Sequence, residues 1–340
     1  MEQINVLVTY HFAPPQIEQM ANISSRLNII QREAKVFEDL ADVVDQVDVM
    51  YVWRSHLLPQ PEQSDQLQWV QLHSAGFDHL LEHPLFSETG IMFTTTSGVH
   101  ATPIAEYTLA QMLAFAQRLP SMLEDKARKQ WSDERYLRFM PRELRGSTLG
   151  LVGYGSIGRE IARLAQAFGM RILAVKRDLR NLTLKRYSPG THIGDPDGSI
   201  PDRIYPTEAL HSFLAECDFV VITVPLTADT YHLMDEQAFA AMRSDAVLIN
   251  ISRGKVVDEV ALIDALKNEQ IGGAALDVFE HEPLDTENPL WTQPQVILSP
   301  HISGITPQYA ERAAAIFIEN LERYVRGEPL INLVDRESQY

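Results

Sequence analysis

Cysteine is nearly absent. Cys217 is the sole one in 340 residues, so no disulfide can form within the chain, and a reducing compartment, the cytoplasm, is expected. It precedes the apolar run Phe219 to Val224, where a buried thiol is the ordinary outcome. Long hydrophobic runs are missing too. No stretch approaches the roughly 18 apolar residues that span a bilayer, and the opening MEQINVLVTY puts no basic segment ahead of a long apolar one, so a soluble, unexported protein is expected. Positive charge is scarce: 29 Lys and Arg stand against 46 Asp and Glu, a formal charge of −17. That balance disfavours nucleic acid and anionic membranes as partners. With 45% hydrophobic and 22% charged residues, the composition suits two globular domains.

What is present is organised around residues 147–178, STLGLVGYGSIGREIARLAQAFGMRILAVKRD. Thr148 to Val152 reads as a buried strand and runs into Gly153-Tyr154-Gly155-Ser156-Ile157-Gly158, the spacing G-x-G-x-x-G. Ile157, Ile161, Leu164, Ala165 and Phe168 then recur at helical spacing, Gly169 closes the helix, and Arg171 to Val175 returns to a strand. Gly153 permits the turn, Gly155 lets the backbone approach a pyrophosphate, and Gly158 lets helix pack on strand. The helix N-terminus then faces the anion.

The rest of the chain alternates in the same way. Ile4 to Val8, Asp48 to Trp53, Trp69 to Leu72 and Ile91 to Thr94 read as strands, with Pro15 to Ile23 as a helix. His73-Ser74-Ala75-Gly76-Phe77-Asp78 is a small-residue turn whose amides suit a carboxylate, or else a plain strand-to-helix turn. His79 to His83 has the H-x-x-E-H spacing of some zinc peptidases, but Pro84 follows at once and no third ligand is evident, so no metal is expected. Pro103 to Leu119 predicts a long helix opened by proline. Arg128 to Arg145, with Trp131, Tyr136, Phe139 and Met140, reads as an arm suited to an oligomer contact. Asn181 to Pro206 reads as a long excursion. Phe219 to Val224, Val247 to Ser252, Ala274 to Val278 and Val296 to Ser299 are four more strands, and Pro307 to Val325 a final helix. A doubly wound parallel α/β sheet follows.

Ligands of such sheets bind beyond the carboxyl ends of strands. Three residues there suit redox chemistry on a carbonyl. Arg253 follows VLINIS, and its planar fork can grip a carboxylate in two places. His301 follows VILSP, where an imidazole can give a proton to a carbonyl oxygen. Glu282, in DVFEHEP, suits the carboxylate partner of that imidazole, with Glu280 as the alternative.

INISRG with VVDE, GAALDVFEHEPL and LSPHISG resemble the signatures of the D-isomer-specific 2-hydroxyacid dehydrogenases over nearly the whole chain. The resemblance implies two Rossmann-like doubly wound domains: a split, flavodoxin-like catalytic domain of residues 1–101 and 302–340, and a dinucleotide-binding domain of residues 102–301 inserted into it. It places the catalytic residues at Arg253, Glu282 and His301. The substrate loop falls on Ser74 to Asp78, and the cofactor contacts beyond the glycine turn fall on Lys176, Arg177, Val224, Pro225, Ile251, Ser252, Arg253, Asp277, His301 and Gly304. A homodimer is implied. VWRS and the terminal VDRESQY are similar to the glyoxylate and hydroxypyruvate reductase branch, which sets Trp53, Arg54, Ser74, Ala75 and Gly76 around a small 2-keto or 2-hydroxy acid. Where NAD-linked members carry an acid after the second strand, this chain has Lys176-Arg177, so NADP(H) is expected over NAD(H). The competing readings are a dinucleotide-sensing corepressor and a formate- or phosphite-type dehydrogenase. Glu282 argues against the formate type, which places glutamine there.

Overall fold

The computed structural model describes residues 3–180, 182–183 and 193–336. The described chain divides into two compact units: one holds the residues up to His100 and again those from Thr306, the other the described residues between Ala101 and Ile305. Each is an α/β unit built on one parallel sheet.

The first sheet contains β1 (Ile4–Val8), β2 (Leu27–Gln31), β3 (Val49–Val52), β4 (Trp69–Leu72) and β5 (Met92–Thr94) in the order β2-β1-β3-β4-β5. That is the flavodoxin-like order, with every pair parallel. Both faces of such a sheet must be covered, and one cover comes from the far end of the chain. The helix Tyr309–Arg326 buries Ala314, Phe317 and Leu321 against Val6, Val8, Tyr51 and Trp69. Asn320 adds a buried hydrogen bond to Gln71 at 3.2 Å, and Gly327, at φ 69°, ends the helix in the left-handed conformation.

The second sheet contains β6 (Thr148–Val152), β7 (Arg171–Val175), β8 (Arg203–Tyr205), β9 (Phe219–Ile222), β10 (Val247–Asn250), β11 (Gly273–Leu276) and β12 (Val296–Leu298). Their order, β12-β11-β10-β9-β6-β7-β8, is the dinucleotide-fold order with one strand added. The direction of winding switches between β6 and β9, beside the glycine turn. Four strands, β6, β9, β10 and β11, are buried along their whole length, as their unbroken apolar sequences require.

Several sequence expectations need correction. The helix expected from Pro103 runs from Ala101 to Ala116; proline is tolerated in its first turn because the amide there has no helical acceptor. It stops before Leu119 because Arg118 is left-handed, at φ 57°, and a second helix, Leu119–Arg128, starts beyond it. The arm after it carries one further helical turn, Arg135–Arg138. Strand β2 was not expected, and the excursion expected over residues 181–206 ends in strand β8; residue 181 and residues 184–192 lie outside the described residues. No regular helix carries the H-x-x-E-H run: Asp78–Leu80 is a single 3₁₀ turn, and His83 Nδ1 accepts from Leu85 N as the cap of Pro84–Ser87. The side chain of His79 lies outside the described residues.

Cys217 is buried, donates to Phe213 O at 3.1 Å, and has its thiol pushed up to about 12 by burial. It faces Gly150 in β6, where a Cβ would stand 2.3 Å from Cys217 Sγ and 2.7 Å from the Phe213 ring. Gly150→Ala is therefore expected to cost about 1–3 kcal/mol by overpacking. Adding Cys217→Ala should restore part of that loss. Urea denaturation of the two single variants and the double variant measures it, and simple additivity would show that the sulfur does not set the clash.

Candidate active site

The glycine turn closes on itself. Gly153 has φ +103°, and a Cβ there would lie 2.7 Å from Thr223 Oγ1; a Cβ on Gly158 would lie 2.7 Å from Gly153 O. These gaps bring the helix Ser156–Ala167 up against the end of β6, with Gly155 at its N-cap. Thr223, just past β9, donates to Gly153 O at 2.9 Å and fixes the turn from the other side of the switch point. Such a turn, closed to a Cβ at Gly153 and Gly158 and opening into a helix N-terminus, fits a pyrophosphate. Tyr154 itself is buried, so it offers a bound dinucleotide its backbone and not its ring.

Lys176 and Arg177 follow β7 directly. Lys176 Nζ donates to Asp178 O at 2.8 Å, while the Asp178 carboxylate accepts from Arg180 N at 2.9 Å in its own turn. Val224 and Pro225 follow β9, and Pro225 O accepts from Thr230 Oγ1 at 2.6 Å, which ties the turn after it.

The three residues expected to carry chemistry leave one edge of the sheet together. Asn250, Leu276 and Leu298 are register partners at the ends of β10, β11 and β12. From β10, Asn250 is buried, accepts from Ser252 N at 3.1 Å and donates to Arg253 O at 3.0 Å, so its side chain shapes the turn that contains Ile251, Ser252 and Arg253. Arg253 Nη1 donates to Ser252 O at 2.9 Å. Gly254 sits where a Cβ would be 1.8 Å from the carbonyl carbon of Phe279, so the arginine turn is pressed on the loop after β11. From β12, His301 Nδ1 lies 2.8 Å from Glu282 Oε2, and Glu282 Oε1 accepts from Phe279 N at 3.1 Å.

His301 thus lies against Glu282 and not Glu280. Glu280 instead lies 2.9 Å from His232 Nε2, and His232 Nδ1 lies 3.6 Å from Asp258. Among the described residues, His232, Asp258 and Glu280 are the one cluster of metal-ligand type. They come from three separate loops, which no sequence spacing could reveal.

Asp277 is fully buried and accepts from Ser299 Oγ at 2.6 Å, Ile302 N at 2.9 Å and Ser303 N at 2.9 Å. Tyr107 continues the chain to Ser299 at 2.6 Å. As placed, the Asp277 carboxylate shapes the loop from Ser299 to Gly304 that holds His301. The sequence did not single out Tyr107 or Asn250 for these parts.

In the first unit, Trp53 and Arg54 follow β3, with the guanidinium 4.7 Å from the indole centroid. Ser74 to Gly76 follow β4, and Ser74 Oγ donates to Gly76 O at 2.7 Å. Among the described residues no group accepts from the amides of Ala75, Gly76 or Phe77. His73, immediately before this loop, is packed between aromatic rings: 4.4 Å from Tyr10 and 4.7 Å from Tyr309. Tyr51 Oη lies 2.6 Å from its Nδ1, and its carbonyl accepts from Thr96 Oγ1 at 2.7 Å and from Tyr309 Oη.

Residues 109–303 match the model of the D-isomer specific 2-hydroxyacid dehydrogenase NAD-binding domain. The chain belongs to that family. It is an NAD(P)-dependent oxidoreductase of 2-hydroxy acids. It is 36% identical over 280 residues to a glyoxylate reductase of Korarchaeum cryptofilum, covering 81% of this chain and 78% of the relative. To a glyoxylate reductase of Thermococcus gammatolerans it is 34% identical over 306 residues, 88% of this chain and 86% of the relative. Among solved structures it resembles the NADPH-dependent glyoxylate/hydroxypyruvate reductase of Sinorhizobium meliloti in complex with NADP and sulfate (TM-score 0.76, 25% identity, 99% of this chain and 100% of the other). It also resembles a family member from Xanthobacter autotrophicus in complex with NADPH and MES (TM-score 0.79, 25% identity, 100% of both chains). None of these relatives supports the corepressor or the formate- and phosphite-type readings.

In this dehydrogenase His73 makes stability depend on pH. Burial first, then the nearby His100, lower its pKa from 6.5 to about 4. The folded protein thus keeps a neutral imidazole where the unfolded chain would take up a proton. The resulting stability is complete above the unfolded value of 6.5 and is lost as the pH falls toward about 4. The full shift amounts to about 3 kcal/mol. Thermal unfolding followed from pH 7 to pH 4 should show that loss, and His73→Gln should flatten it; equal slopes would remove His73 from the account.

Proposed function

We propose that this enzyme reduces glyoxylate or hydroxypyruvate to the corresponding 2-hydroxy acid, and runs the reverse oxidation, with the second unit holding the dinucleotide. The observation that carries the reading is the 2.8 Å contact of His301 Nδ1 with Glu282 on the sheet edge that also presents Arg253. When bound, the reduced nicotinamide supplies a hydride to the carbonyl carbon. His301 supplies the proton that the carbonyl oxygen takes up. With Nδ1 turned to Glu282, Nε2 is the nitrogen left to give the proton in the reduction and to take it back in the oxidation. Glu282, tied to Phe279 N by its other oxygen, fixes the ring's orientation. Arg253 grips the substrate carboxylate and polarises the carbonyl. Within the first unit, the amides of Ala75 and Gly76 are donors of the kind a carboxylate accepts.

A dimer completes the assembly. Trp131, Tyr136, Leu137 and Met140 stand exposed on the arm, at 84%, 73%, 79% and 57%, and a second copy of the chain is the partner expected to cover such a patch.

His301→Ala should lose about 10²–10⁴-fold in kcat/KM for glyoxylate while keeping dinucleotide affinity, since the missing acid leaves the glycine turn intact. Nicotinamide absorbance and a fluorescence titration give the two readouts. Near-wild-type turnover would remove His301 from the mechanism.

NADPH is the preferred reductant. No carboxylate occupies the position after β7 that would accept from a ribose and repel a 2′-phosphate; Lys176 and Arg177 stand there, and Asp178 is engaged in its own turn. One charge-assisted Arg–phosphate bond is worth about 1.5–3 kcal/mol, which predicts roughly a 10- to 150-fold preference that Arg177→Ala largely abolishes. Equal or higher catalytic efficiency with NADH would sink this assignment.

A further inference from the structure

The excursion after β7 has a part to play that the reductase reading leaves unassigned. Its described end, residues 193–200, returns to the glycine turn and meets it through three almost wholly buried polar side chains: Tyr154 at 3% exposure, Arg159 at 1% and Asp195 at 4%. Tyr154, inside the G-x-G, donates its hydroxyl to Asp195 Oδ2 at 2.6 Å. The same carboxylate accepts from Ser199 N at 3.0 Å and Ile200 N at 2.9 Å, so Asp195 both folds the segment and ties it to the turn. Arg159 lies with its guanidinium 4.7 Å from the Tyr154 ring, donates through Nε to Tyr154 O at 3.2 Å, and reaches Asp195 O and Leu182 O with its other nitrogens. Glu160, next along the helix, accepts from Gly194 N at 2.6 Å.

Burying an arginine, an aspartate and a tyrosine together is costly unless every polar group is satisfied. A loop that merely crossed the surface would need none of them. The consequence for the turn lies in one peptide plane. With Tyr154 O held inward by Arg159, the trans, planar peptide directs the N–H of Gly155 the opposite way. Arg159 is in turn oriented by acceptors on the excursion. Burial first, then the hydrogen bond to Asp195, raises the pKa of the Tyr154 phenol, so it remains a donor across the working pH range.

We propose that residues 193–200 form a strap that sets the shape of the glycine turn, with Asp195 as a positioning residue for the pyrophosphate of the dinucleotide. The proposal rests on the cofactor reading above. Asp195→Asn is the informative variant: it keeps size but puts an NH₂ group against the donors that now meet the carboxylate. Its dissociation constants for NADPH, NADH and ADP-ribose, which carries the pyrophosphate without nicotinamide, should all rise by about tenfold or more. The ratio of NADPH to NADH affinity should stay put, and kcat at saturating cofactor should fall far less than affinity does. Tyr154→Phe, which removes a single hydroxyl, should weaken ADP-ribose binding in the same direction. Fluorescence titration and calorimetry read the affinities, and melting curves report separately on the fold. Variants that melt early yet bind ADP-ribose as wild type does would overturn the strap and leave the network a purely local tether. A wild-type protein that bound no dinucleotide at all would instead take down the cofactor reading, and the strap with it.

Discussion

Asp277 has no exposure to water, and a carboxylate in that position must be met by donors. Three donors meet it, all from the loop that follows β12. That loop holds His301 at φ 54°, a left-handed conformation that costs a residue with a side chain roughly 1 kcal/mol or more and persists only where its surroundings impose it. The backbone of His301 also donates to Asp277 O at 2.8 Å. One residue therefore fixes both ends of the loop, and the approach of the imidazole to Glu282 follows from it. The sheet supplies the rest: with β10, β11 and β12 in register, Arg253, Asp277 and His301 cannot leave the sheet anywhere except at the same edge.

The first sheet depends on a different constraint. Strands β1 to β5 all come from the opening hundred residues, yet Val6, Val8, Tyr51 and Trp69 bury one face against Phe317 and Leu321, more than 200 positions later. An edge bridge from Thr94 to Leu333 and the hydrogen bond from Asn320 to Gln71 close the same gap. The sheet and the helix Tyr309–Arg326 form one compact unit drawn from two distant parts of the chain. Two termini held together in this way are what a domain inserted into another requires.

Much of this was legible in the sequence, for reasons that can be stated. Buried parallel strands are unbroken apolar runs, so β6, β9 and β10 stand out, and the glycines are forced by backbone approach at Gly153 and Gly158. The strand-end residues Arg253, Glu282 and His301 follow from where such runs stop. What escaped has equally physical causes. Strand β2, LNIIQ, is only partly buried, and β8 has three residues with arginine at its start, so neither shows an apolar run. The choice between Glu280 and Glu282 depends on which way a tight loop turns its side chains. The roles of Tyr107, His73 and Asp195 arise from pairings 192, 22 and 41 positions apart, which no local pattern encodes.

The turn DVFEHEP shows how closely those undetected contacts constrain the detected ones. Glu280 and Glu282 are two residues apart and engage different histidines, His232 and His301. Glu280 also accepts from Glu259 N at 3.1 Å, at the start of the helix Glu259–Lys267, where Asp258 is already the cap. Gly254 presses the arginine turn against Phe279 and Glu280 with no room for a methyl group. The loops after β9, β10 and β11 are thus locked to one another through a single short segment. Glu282 reaches His301 from a segment in which Phe279 packs on the arginine turn and Glu280 lies against His232. Preorganisation of an acid/base pair requires this kind of shared restraint: the carboxylate is held by a neighbouring amide, that amide by the packing of an adjacent loop, and that loop by the side chain of Asn250 at the end of its strand.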